Sequence, residues 1–104
     1  GVARENIAYD PGIGFGKSAH GSVELLARLR ELVALGQPVL VGASRKSFLA
    51  KLTNDEGPSS NRVPASLAAA TIAVMHGARI LRVHDVAATV RVARIAEAAS
   101  AASR

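Results

Sequence analysis

Three short clusters carry the side chains that could do chemistry, and each follows an apolar run. The first is Asp10 with the glycine-rich stretch PGIGFGK behind it. The second is Ser44, Arg45, Lys46 and Ser47, and the third is Arg82, His84 and Asp85. A carboxylate such as Asp10 can accept two hydrogen bonds from an amidine-like ligand edge. It can equally do no more than start a turn. Arg45, Lys46 and Ser47 stand where a helix is expected to begin, and a helix N-terminus with a hydroxyl beside it is an anion site. Their alternative is a basic loop in solvent. Arg82 and His84 alternate along a strand pattern and so share a face. If that face is buried they need a partner, because an unpaired buried charge is costly. An anionic ligand or a structural carboxylate would serve. Asp85 is better read as the cap of the following helix than as a catalytic group.

The stretch YDPGIGFGKS ends like a nucleotide-binding P-loop but does not match one. The G-x-x-x-x-G-K-[ST] template puts a glycine where Pro11 stands. Proline has a fixed φ and no N–H to aim at phosphate. Three glycines at alternate positions, with Phe15 among them, instead suit a tight loop that approaches a ligand closely. The remaining histidines, His20 and His76, are scattered and make no metal site.

The elements that must position these groups follow a repeating pattern. Residues 6–10 (NIAYD), 38–44 (PVLVGAS) and 79–85 (RILRVHD) are strand-like, and each is followed by a helical pattern. Ser22 is the expected cap of the first helix, with Glu24 in its first turn. Leu25, Leu26, Leu29, Leu32 and Val33 recur at helical spacing until Gly36 and Pro38. A short helix is expected over SFLAKL, then a polar turn segment at 54–61. Pro64 suits a first helical position, and an alanine-rich helix runs from there to Gly77. A last helix is expected over about 86–99, with Arg91 and Arg94 outward. The order β-α-β-α-β-α calls for parallel strands with covered faces. Its spacing is a little above the repeat of about 31 residues in an eightfold βα barrel. An open doubly wound sheet is the alternative. In both architectures ligands bind at the carboxyl ends of the strands, where all three clusters lie.

Composition bounds the function further. The chain has 104 residues, enough for one modest domain, and is 49% hydrophobic, much of it alanine, with 3% aromatics. It has no cysteine, which excludes disulfides and thiolate metal sites. No apolar run approaches a membrane span, and no signal peptide is visible. The net charge of +5 comes with scattered arginines and few aromatics, so nucleic acid is not the expected partner. The chain lacks an initiating Met and starts just before a strand, so the expectation is a piece of a longer protein.

DPGIGFGKS, VLVGASRKSFL and RVHDV, in this order and spacing, resemble the dihydropteroate synthase family over essentially the whole chain. The resemblance implies that residues 1–104 are the C-terminal portion of one pterin-binding (β/α)8 TIM barrel, about strands 6 to 8. It implies a cytoplasmic transferase of folate biosynthesis and a target of sulfonamides. Such an enzyme condenses a hydroxymethyl-dihydropterin pyrophosphate with p-aminobenzoate to give dihydropteroate and pyrophosphate. The implied roles follow the motifs. Asp10 bonds the pterin's amino-pyrimidine edge, Phe15 packs near the pterin, and Gly42 lies beside its ring. Lys46 contacts pterin heteroatoms and Ser47 the p-aminobenzoate carboxylate. Arg82 lines the pterin site, and with His84 stands by the departing pyrophosphate. Cationic groups and Mg²⁺ would stabilise that leaving group. The Mg²⁺ ligand is expected outside this chain, with no metal ligand within it. The family further implies a homodimer through the helices of this half.

The chain departs from the family at Ala65 and Ser66, where Gly-Ser or Gly-Thr is common, and this is expected to touch packing rather than the site. By itself the chain is expected to be marginally stable and inactive. The rival readings are a pterin-binding methyltransferase domain on the same barrel and a non-catalytic paralogue.

Overall fold

The computed structural model describes residues 2–14 and 18–103. A 3-10 turn at Arg4–Asn6 leads into an extended segment whose Tyr9 bridges Val39 in parallel. Helices α1 (Ala19–Ala27) and α2 (Leu29–Val33) follow. Then come β1 (Leu40–Val41), α3 (Ser47–Thr53) and a 3-10 turn at Ser59–Arg62. The chain ends with α4 (Val63–Met75), β2 (Ile80–Leu81) and α5 (Val86–Ala102).

Three extended segments lie side by side in chain order and run parallel. Tyr9 donates to the Pro38 carbonyl, and its own carbonyl accepts from Leu40, both at 2.8 Å. On the other side Leu40 pairs with Ile80 and Val41 with Leu81. The regular ladders are only two residues long, far shorter than the runs at 38–44 and 79–85 suggest. Asn6 belongs to the 3-10 turn rather than a strand. Beyond Val41 the backbone pairing stops, and the Ser44 hydroxyl accepts the His84 N–H at 3.1 Å in place of a carbonyl.

The helices cover one face of this arc. Val39, Val41 and Ala43 pack with Leu26, Leu29, Phe48, Leu49, Ala69 and Ala73. Burying a leucine or isoleucine is worth about 1.5–3 kcal/mol, so Leu29 and Ile13, both buried to 1% exposure, are principal anchors. Alanines at 69, 70 and 73 let α4 lie close to its neighbours. The alternate residues Leu40, Gly42, Ser44, Ile80, Arg82 and His84 face away from the helices, and Ile80 is 42% exposed. Helices on one face only are what a barrel wall needs; a doubly wound sheet would carry them on both.

Local signals explain the element ends. Ser18, not Ser22, caps α1, accepting from the Gly21 N–H at 3.0 Å. The helix thus begins a turn earlier than expected and takes in His20. Ser22 is fully buried, and its hydroxyl accepts the Gly14 N–H at 3.1 Å. Gly77, at φ +102°, ends α4 where a side chain would press on Val33. Asp85 holds the N-cap position of α5, but its side chain makes no capping bond.

Candidate active site

The second and third strand ends enclose a hollow of about 340 Å³ lined by Gly42, Ser44, Lys46, Arg82, Val83 and His84. Gly42 forms part of its floor. A Cβ there would stand 3.7 Å from Arg82 Nε and 3.9 Å from Lys46 Nζ, occupying space between the two cations. Lys46 reaches the hollow from the N-cap position of α3 and donates to the Ile13 carbonyl at 2.6 Å. Its stem lies across Gly14, where a Cβ would come within 2.6 Å of Lys46 Cδ. Gly14 is also at φ +85°, so both space and backbone call for glycine. Burial holds the Lys46 ammonium below its ordinary pKa; Asp10 opposes that shift and Arg82 reinforces it.

Arg82 and His84 are exposed, so the condition that their face be buried is not met in this chain. The structural carboxylate considered for them goes elsewhere. Arg45 binds Asp85 through Nη2 to Oδ1 at 2.6 Å and Nε to Oδ2 at 3.0 Å. The hydrogen bond from Arg45 draws the Asp85 carboxyl below the usual carboxylate range. Among the described residues no carboxylate makes an ion pair with Arg82. Two cationic side chains therefore face one hollow, an arrangement suited to an anion.

The turn at 44–47 is held from several sides. Arg45 adopts a left-handed conformation, φ +54°, uncommon for a residue other than glycine. Its N–H donates to Ser66 Oγ at 2.7 Å and its carbonyl accepts from Arg62 Nη1 at 2.8 Å. Ser66 in turn donates to the Arg62 carbonyl at 2.7 Å. Position 66 therefore supports the site, contrary to the expectation that it touches packing alone. The helix begins at Ser47 rather than Arg45, because the left-handed turn comes first.

Other expected site residues fall differently. Asp10 is exposed, and its Oδ1 accepts from the Gly12 N–H at 2.8 Å, so the carboxylate does start a turn. It lines a larger hollow, about 700 Å³, between residues 8–11 and α1–α2. That hollow is walled by Tyr9, Leu25, Leu29, Leu32 and Leu35, and its one lining cation, Arg28, is held by Glu24 and Glu31. Size does not make it the reactive one; Arg82, with no ion pair among the described residues, marks the smaller hollow. Ser47 is exposed at the start of α3 and does not line either hollow. Phe15 lies outside the described residues. Arg62 and Ser66 are not among the site residues that the sequence points to. The signal available for them was their place at the start of a helix following a polar segment.

Among the described residues no three His, Asp or Glu side chains stand together to hold an ion. Asp85 is committed to Arg45. The described residues thus offer no set of side chains that fits a Mg²⁺ ion. No described helix is long and apolar enough to cross a membrane.

Residues 1–84 match the family model described as pterin binding enzyme. This chain belongs to the pterin binding enzyme family. A curated dihydropteroate synthase of Escherichia coli (strain K12) is 51% identical to it over 98 residues, which are 94% of this chain and 34% of the relative. A solved Yersinia pestis dihydropteroate synthase with a sulfonamide drug superposes with a TM-score of 0.92 at 47% identity, covering 98% of this chain and 36% of that one. A Coxiella burnetii dihydropteroate synthase in complex with pteroic acid gives a TM-score of 0.92 at 41% identity, covering 97% and 37%. This member of the pterin binding enzyme family thus spans about a third of the curated relatives it matches, and its α/β arc is that of their barrel.

Proposed function

We propose that this chain is about strands 6 to 8, the C-terminal portion, of the barrel of a dihydropteroate synthase. The observation that carries the reading is the hollow at the strand ends, where Lys46 and Arg82 flank Gly42 in a chain half identical to a known synthase. In the proposed reaction the C–O bond between the pterin methylene and pyrophosphate breaks, and its electron pair leaves with pyrophosphate. The amine of p-aminobenzoate then attacks the methylene carbon and loses a proton to solvent. Negative charge grows on the leaving oxygen, and fixed positive charge and donors nearby stabilise that growth. Arg82 and His84 take this role. Lys46 binds pterin heteroatoms beside Gly42, Asp10 binds the amino-pyrimidine edge, Phe15 flanks the ring, and Ser47 receives the p-aminobenzoate carboxylate. An aniline nitrogen needs no strong base, and none of the described residues lining the hollow is a carboxylate.

Further parts of the reading rest on the family. Any Mg²⁺ ligand belongs to the portion of the relatives that this chain does not span. A cytoplasmic location and sulfonamide sensitivity belong to the same proposal. A homodimer through the C-terminal helices is supported by apolar side chains left open on them: Ile72 on α4, Val90 and Ile95 on α5.

The test is a chimera in which this chain replaces the matching 98 residues of the Escherichia coli synthase. The chimera is expected to form dihydropteroate and release pyrophosphate, while the 104-residue chain alone does not. Arg82→Ala in the chimera should lower kcat by roughly 10²-fold, as loss of one charge-stabilising donor does. A folded chimera that binds pterin without releasing pyrophosphate would defeat the proposal.

A further inference from the structure

We infer that Ser44 is a positioning residue that fixes the tautomer of His84, so that the ring offers Nε2–H to the ligand in the hollow. Ser44 Oγ accepts the backbone N–H of His84 at 3.1 Å and lies 2.9 Å from His84 Nδ1. Ser44 is buried, so its own hydroxyl proton needs an acceptor. No acceptor other than Nδ1 bonds it among the described residues. If Nδ1 carried the proton, both ring and backbone would donate to Ser44 and the hydroxyl proton would be stranded. If Nδ1 is bare, Ser44 donates to it and every group is satisfied. In the neutral ring the proton then lies on Nε2, since the bond made by one nitrogen sets the state of the other. His76 provides the contrast. Its Nδ1 is 3.2 Å from the Leu26 carbonyl, which can only accept, so His76 takes the opposite tautomer.

The inference extends the proposed function and rests on it for the ligand: Nε2–H of His84 would donate to a phosphate oxygen of the departing pyrophosphate. The experiment is ¹⁵N NMR of histidine-labelled intact protein carrying this chain, at a pH where the rings are neutral. A His84→Gln sample assigns the resonance. A bare Nδ1 is expected on His84 and a protonated Nδ1 on His76. Ser44→Ala should convert His84 to a mixture and leave His76 unchanged, and Ser44→Thr should restore the original state. A protonated Nδ1 on His84 in the parent protein, or a tautomer indifferent to Ser44→Ala, overturns the inference. Should Ser44→Ala disturb His76 as well, and so the fold, Ser44→Thr decides. Kept tautomer supports the inference, and a changed one overturns it. In turnover, Ser44→Ala is expected to lower kcat roughly five- to tenfold with KM little changed, below the loss of about 10²-fold from deleting a donor outright. An unchanged kcat beside a shifted tautomer overturns the link to the leaving group. Absence of any synthase activity in the parent protein defeats the proposed function, while the spectrum still judges the tautomer.

Discussion

The first strand end and the second are built from opposite materials. The loop after Asp10 is anchored by an apolar plug, Ile13, and by backbone that only glycine follows easily at Gly12 and Gly14. Its polar ties to other elements, among the described residues, include the Gly14 N–H to Ser22 and the Ile13 carbonyl to Lys46. The turn at 44–47 instead puts an arginine in a left-handed conformation and fastens it with Ser66, Arg62 and Asp85. One region is held by burial and the other by a polar network reaching from α4 and the start of α5. The two should therefore fail under different changes. A packing change should loosen the first and spare the second, and a polar deletion should do the reverse.

The largest effect expected is from Ile13→Ala. Truncating a buried isoleucine to alanine costs about 2–5 kcal/mol, so thermal or denaturant unfolding of the protein should register a loss in that range. In a folded sample, hydrogen exchange should rise around residues 10–14 while the Arg45 amide stays protected. Equal loss of protection at both places would erase the distinction. Ser66→Ala comes next. It leaves the Arg45 N–H without its acceptor, which costs about 1–3 kcal/mol for a buried group. Here the Arg45 amide should lose protection and the Gly14 amide should keep it.

The smallest effect concerns Asp85→Asn, and it sharpens the comparison through pH. The folded carboxyl is held below its unfolded value by Arg45. Its contribution is therefore present above the ordinary carboxylate pKa of about 3.9 and is lost as pH falls through the folded value. The variant should unfold at a slightly lower Tm than the parent at neutral pH, and the gap should close as pH drops below about 4. A gap that widens in acid would mean the pair does not stabilise the turn.

The helices were readable because their apolar residues recur at a fixed period and their ends carry glycine: Gly36 and Gly77 both lie at positive φ. The first cap was misplaced at Ser22 because two serines lie one turn apart, and composition cannot say which is buried. The strands read too long because β-branched runs mark extended backbone, whereas ladder length depends on a neighbour that is remote in sequence. At the site, the alternation of Gly42 and Ser44, and of Arg82 and His84, put them on one face, and the structure gathers all four around one hollow. The choice of which arginine takes the carboxylate was not legible. Arg45 and Arg82 are equally basic, and only the left-handed turn carries Arg45 to Asp85. Ser66 was hidden for the same reason, since its partner is the backbone of a residue in another element.

One contact joins the two contrasted regions. Lys46 belongs to the second strand end, yet its ammonium is fastened to the carbonyl of Ile13 and its methylenes lie along Gly14. A molecule that draws this ammonium toward itself takes a hydrogen bond away from the Ile13 carbonyl in the same motion. By reciprocity, whatever orders the segment at Ile13 and Gly14 first alters the affinity at the ammonium by an equal factor. Two ligands served by these neighbouring strand ends would therefore be coupled through a single lysine.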